Sequence, residues 1–166
     1  MRISLVGASI GAVVLAACAP PAPPKVPVAT ERAAIGAALD DFHDAAAKAD
    51  EARYFNHFAE DGVFLGTDAT ERWGTAAFRA YAHPHFEKKK AWSFRSIRRV
   101  ITVDKGGAVA WFDEDLATPN LGPARGSGVL VKRGAEWKIG QYNLAITVPN
   151  DRFEAVKKAA AADARP

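Results

Sequence analysis

Apolar residues recur at helical spacing in the front half of the chain and at alternate positions in the back half, with the change of period at Trp92. Ile35, Leu39, Phe42 and Ala46 form one stripe, with Asp40, Asp44 and Lys48 elsewhere. That spacing predicts a first helix, N-capped at Thr30 and carrying Glu31 in its first turn. Asp50 caps a short second helix over Glu51–Phe58, where Tyr54, Phe55 and Phe58 cluster on one side. Val63–Thr67 reads as a short apolar strand, Asp68–Thr70 as a turn, and Gly74–Thr75 as the start of a third helix. Pro84 withholds a hydrogen bond from Ala80 and predicts a kink or restart there.

Beyond Trp92 four strands are predicted. Trp92–Val103 changes apolar parity between Phe94 and Ile97, which a bulge near Arg95–Arg98 explains. Lys105-Gly106-Gly107 turns the chain into Ala108–Leu116. Arg125–Arg133 and Glu136–Val148 make a last hairpin around Gly134-Ala135, and a helical or disordered tail closes the chain at residues 154–166. Helices first and antiparallel strands after predict an α+β domain, with about three helices packed on one face of a curved, mostly antiparallel sheet.

The first residues change the picture. Arg2 is the only charge before Lys25, and Ile3–Ala17 is apolar or small, so residues 1–17 read as a signal peptide too short to span a bilayer. Leu15-Ala16-Ala17-Cys18 resembles the bacterial lipobox, which implies cleavage before Cys18 and lipidation of its thiol. Residues 18–29 then form a Pro-rich tether, and residues 30–153 the domain. The expected location is an exported, membrane-anchored lipoprotein, on the periplasmic side of the outer membrane in a Gram-negative cell. Cys18 is the only cysteine, so no internal disulfide forms. Removal of Arg2 lowers the formal charge from +3 to +2, too little to imply a nucleic-acid partner.

The run Phe58-Ala59-Glu60-Asp61-Gly62-Val63-Phe64-Leu65-Gly66-Thr67-Asp68, with Arg72-Trp73-Gly74, resembles the front of a SnoaL-like domain of the nuclear transport factor 2-like superfamily. Gly128-Val129-Leu130-Val131, Trp137-Lys138-Ile139 and Gln141-Tyr142-Asn143-Leu144 are similar to that superfamily's last hairpin. The resemblance implies a cone-shaped half-barrel, a pocket between helices and sheet, and a homodimer formed through the sheet. It implies no particular reaction, because the superfamily contains isomerases, dehydratases, cyclases and non-catalytic modules.

Strict alternation along the last strand groups Trp137, Ile139, Gln141 and Asn143 on one face. Gln141 and Asn143 hydrogen-bond without transferring protons near neutral pH, so they read either as ligand contacts or as partners for buried backbone. Asp113 shares the parity of Trp111. It is the candidate general base, its alternative being a pairing with Arg98 or Arg125 in water. Tyr54, Leu65, Trp73 and Trp111 complete the expected ligand-binding set, the aromatic members reading equally as core. His83 and His85 sit two apart on a helix and point away from each other, while His43 and His57 stand alone, so neither a metal nor another cofactor is expected. A small apolar or amphipathic ligand is the first functional expectation. An acid/base enzyme of isomerase, dehydratase or cyclase type, or a dimeric interaction module, are its alternatives.

Overall fold

A computed structural model describes residues 27–162; the segment read as a signal peptide, Cys18 and most of the tether lie outside that range. Helix α1 (Val28–Ala47) begins two residues before Thr30, on Pro27, whose extended backbone sets the entry without a side-chain cap. Helix α2 (Glu51–Asn56) is capped by the Asp50 carboxylate, which accepts from the Arg53 backbone N–H at 3.1 Å. Strands β1 (Phe58–Leu65) and β2 (Arg72–Gly74) form a hairpin across the Gly66–Glu71 loop, and helix α3 (Thr75–Glu87) follows. Pro84 lies in the last turn of α3, and the helix runs through it to Glu87.

The long strands are β3 (Arg95–Val103), β4 (Val109–Ala117), β5 (Ala124–Arg133) and β6 (Glu136–Ile146). A short 3-10 turn (Asn150–Arg152) leads to α4 (Phe153–Ala162), an exposed helix that follows the sheet. The six strands form one open sheet in the order β2-β1-β6-β5-β4-β3. All neighbours run antiparallel except β1 and β6, which are parallel, so the sheet is mixed. The expected α+β architecture is therefore the observed one, with α1, α2 and α3 packed on one face of the open sheet.

Two bulges set the inner face. The register of β3 against β4 shifts between Ser96 and Arg98, where the change of parity predicts it. A second shift lies in β6: Val129 pairs with Gln141 and Leu130 with Ile139, leaving Gly140 as an extra residue. One extra residue reverses which side chains face inward. Trp137 and Ile139 point into the core before the bulge, and Tyr142 does so after it. The cross-strand rows follow from the pairing. Ile101, Phe112, Gly128 and Tyr142 lie in one inner row, and Arg99, Glu114, Gly126 and Leu144 in the next. The outer rows are Thr102, Trp111, Val129 and Gln141, then Val100, Asp113, Ser127 and Asn143.

The core is aromatic. Phe42 of α1, Tyr54 and Phe55 of α2, Phe58 and Phe64 of β1, Phe78 and Phe86 of α3, and Tyr142 of β6 are all buried in one cluster. The first turn of α1 is fixed to the sheet by Glu31, a buried carboxylate that accepts from the Trp137 indole at 2.7 Å and pairs with Lys132. Those two hydrogen bonds, Lys132 foremost, hold the Glu31 carboxyl below its usual range against the opposing effect of burial.

Candidate functional site

Between α1, α2, α3 and the inner face of the sheet lies a cavity of about 290 Å³. Half of the residues that line it are Phe, Tyr or Trp, contributed by α1, α2 and α3, by β1, β2 and β6, and by the segment before β3. Five rings run nearly parallel through it. Tyr142 and Phe64 are 5.8 Å apart with planes 3° off parallel, Phe64 and Phe78 are 4.0 Å and 10°, and Phe78 and Trp73 are 5.7 Å and 15°. Trp73 then stacks on Tyr81 at 4.5 Å, and Tyr81 is half-exposed at the outer end. Trp92, at 5.9 Å from Phe78 and 20° off parallel, adds a sixth ring. Stacked in this way, the rings cover one another's faces and give the cavity a continuous apolar wall.

The wall also carries a polar cluster. His43 is on α1, four residues beyond Leu39 on the same stripe, and is buried. Its Nε2 lies 2.7 Å from Glu114 Oε1, and the Tyr142 hydroxyl donates to that same oxygen at 2.9 Å. Arg99 Nε donates to Glu114 Oε2 at 2.7 Å, and its Nη1 reaches the Gly36 carbonyl and Asp40. Glu114 is fully buried on the inward parity of Ala110, Phe112 and Leu116. Burial pushes its carboxyl up, but His43 and Arg99 together hold it below its ordinary value, so it remains ionised. Tyr142 goes the other way: burial and the adjoining Glu114 charge raise its phenol well above normal, keeping it a donor. An ionised Glu114 must be the acceptor in the His43 contact, so His43 Nε2 carries the proton that it donates. His43 Nδ1 has no hydrogen bond among the described residues. Gly126 makes the cluster possible, since a Cβ there would lie 2.2 Å from the Tyr142 hydroxyl and 2.9 Å from Glu114 Oε1.

The structure sorts the expected residues by the bulge in β6 and by strand parity. Tyr54 and Trp73 line the cavity. Leu65 follows inward-facing Phe64 and is absent from the wall. Gln141 and Asn143 are on the outer rows, because Gly140 reverses the alternation that groups them with Trp137; Tyr142 and Leu144 line the cavity in their place. Trp111 is 50% exposed on the outer face. Asp113 shares that face, with Arg98 Nη2 at 3.6 Å, so the candidate base does not reach the cavity. Asp115, its neighbour on the strand, accepts from Arg98 at 2.9 Å. The residues left out of the expectation are His43 and Glu114. Their signal is visible in the sequence: each is a polar residue on an apolar stripe, one of period 3.6 and one of period 2. No group of three or more His, Cys, Asp or Glu among the described residues is arranged to hold a metal ion.

A family model described as a SnoaL-like domain matches residues 35–149. The chain belongs to the SnoaL-like domain family. No curated protein matches the sequence. Solved structures show the same fold for this SnoaL-like domain. An NTF2-like protein of unknown function from Pseudomonas putida KT2440 is 12% identical, with a TM-score of 0.60, over 76% of this chain and 93% of that one. A Novosphingobium aromaticivorans protein described as a candidate aromatic ring hydroxylase is 18% identical, with a TM-score of 0.62, over 75% of this chain and 94% of that one. A candidate scytalone dehydratase from the same organism is 14% identical, with a TM-score of 0.60, over 72% of this chain and 86% of that one. Likeness at these identities establishes the SnoaL-like fold and leaves the reaction to be argued from the cone itself.

Proposed function

We propose that this SnoaL-like domain takes up a small, flat, apolar or amphipathic ligand in its cone, and does so as an exported lipoprotein tethered through Cys18. The ladder of near-parallel rings along the cavity wall carries the reading. A cavity of about 290 Å³ is roughly twice the engineered apolar cavity of about 150 Å³ that holds benzene, so two fused rings are the fitting size. It lies at the low end of small-molecule pockets, which argues against larger polycyclic guests. Naphthalene titrated into the mature chain should bind saturably by calorimetry and quench tryptophan fluorescence, since Trp73 and Trp92 both face the cavity. Trp73→Ala removes part of that apolar wall and should weaken the binding about tenfold. Absence of saturable naphthalene binding would sink the ligand reading.

The His43–Glu114 pair favours a second reading, acid/base chemistry on the bound molecule. His43 meets the cavity, and Glu114 fixes its tautomer and offsets the charge it gains as it takes a proton. A base so placed removes a proton next to a carbonyl and returns it. Exchange of the methyl protons of 2-acetylnaphthalene with solvent deuterium, followed by NMR, should be accelerated by the protein and not by His43→Gln. Equal rates with the two proteins would leave His43 a structural residue.

A further inference from the structure

One fully buried polar group on the cavity wall belongs neither to the ring ladder nor to the His43–Glu114 cluster. Tyr54 is fully buried and lines the cavity, yet its hydroxyl has no hydrogen-bond partner among the described residues. Its ring is held by Phe42, stacked at 4.5 Å, and by Trp92, edge-on at 5.7 Å. The Trp92 indole approaches without completing a hydrogen bond of ordinary geometry. Burial drives the phenol far above its normal range, so the group is a fixed O–H donor at any physiological pH. Buried polar groups are almost always paired, and an unpaired one carries the full cost of its lost hydration. An acceptor atom on a guest would supply the missing partner.

Charge narrows the guest further. The wall holds one carboxylate, Glu71, and no Lys or Arg. Arg99, just behind it, is already paired with Glu114 and Asp40. An aromatic acid entering the cone would shed its hydration and find no Lys or Arg on the wall to replace it. We propose that the cone, on the ligand-binding reading above, selects neutral aromatic compounds bearing an uncharged acceptor oxygen, which Tyr54 Oη receives, and rejects the corresponding acids.

Three probes with one ring system test this: 2-ethylnaphthalene, 2-acetylnaphthalene and 2-naphthoate, each titrated calorimetrically into the mature chain at neutral pH. The ketone should bind about tenfold more tightly than the hydrocarbon. The carboxylate should bind weaker than the ketone by on the order of a hundredfold. Tyr54→Phe should erase the preference for the ketone and leave 2-ethylnaphthalene within about twofold, with thermal stability equal to or above the parent. A stabilising hydroxyl contact inside the protein would instead lower stability and affect all three probes alike. Naphthoate binding as tightly as the ketone overturns the charge selection. Ketone and hydrocarbon binding equally overturns the role of Tyr54. If none of the three binds, the ligand reading itself falls, and this proposal with it. Should Tyr54→Phe fail to fold, the three affinities of the parent protein still decide between these outcomes.

Discussion

Glu114→Ala should lower the stability of the domain by about 3–5 kcal/mol, read from urea or thermal unfolding. The carboxylate is fully buried and serves three donors: His43, Tyr142 and Arg99. Its removal leaves the Arg99 charge without its inner partner and two polar groups without an acceptor. The penalty therefore comes from the unpaired groups that stay buried, more than from the attraction that disappears. Glu114→Gln should cost less, because the amide oxygen still accepts from one neighbour while the ion pair is gone. The pH dependence has a definite sign. The folded carboxyl titrates below its unfolded value of about 4.3, so its contribution is complete above that pH and fades as the pH falls through the lower folded value. The gap between parent and Glu114→Gln should narrow under acid conditions. A gap constant from pH 7 down to the acid transition would contradict an ionised, paired Glu114.

Cys18→Ala should move the protein from the membrane to the soluble fraction of its host. The change removes the only thiol that could carry acyl chains, and two or more such chains hold a protein on a bilayer where one does not. The mass of the purified parent should exceed that of the cleaved polypeptide by the acyl groups, and the variant should show no such excess. Among the described residues no helix is long and apolar enough to provide a spanning anchor. Continued membrane fractionation of the alanine variant would refute the lipoprotein reading.

Elements are more legible in this sequence than faces. The helical stripe of α1, the hairpin turns and the bulge of β3 all follow from local pattern, since each depends on residues close in sequence. The β2 strand is only Arg72–Gly74, too short to show a period, and the parallel pairing of β1 with β6 joins segments far apart in the chain. Gly140 does most to hide the site. Alternation counted from Trp137 carries Gln141 and Asn143 inward, and nothing in a glycine's composition announces that it is the extra residue of a bulge. Asp113 is misplaced for a different reason: an aromatic at Trp111 suggests an inward parity, whereas Phe112 fills that place and Trp111 stands half-exposed. His43 and Glu114 are 71 residues apart, so their meeting depends on how α1 crosses the sheet and is invisible to any window along the chain. The floor of the cone, Phe64 to Trp73, carries the family resemblance and supplies two rings of the ladder. The chemistry lies elsewhere.

The extra residue in β6 also makes the lumen a choice between two chemistries written on one strand. Upstream of Gly140 nothing depends on it, whereas downstream it determines whether Tyr142 and Leu144 or Gln141 and Asn143 face the guest. Deleting that single glycine would bring Gln141 and Asn143 to the inner face in place of Tyr142 and Leu144, with the rings of the helices, β1 and β2 left where they are. A lineage carrying this scaffold could thus add two amide side chains to an aromatic lumen in one genetic event. Such a gear in the backbone offers a physical route by which one cone comes to serve unrelated molecules.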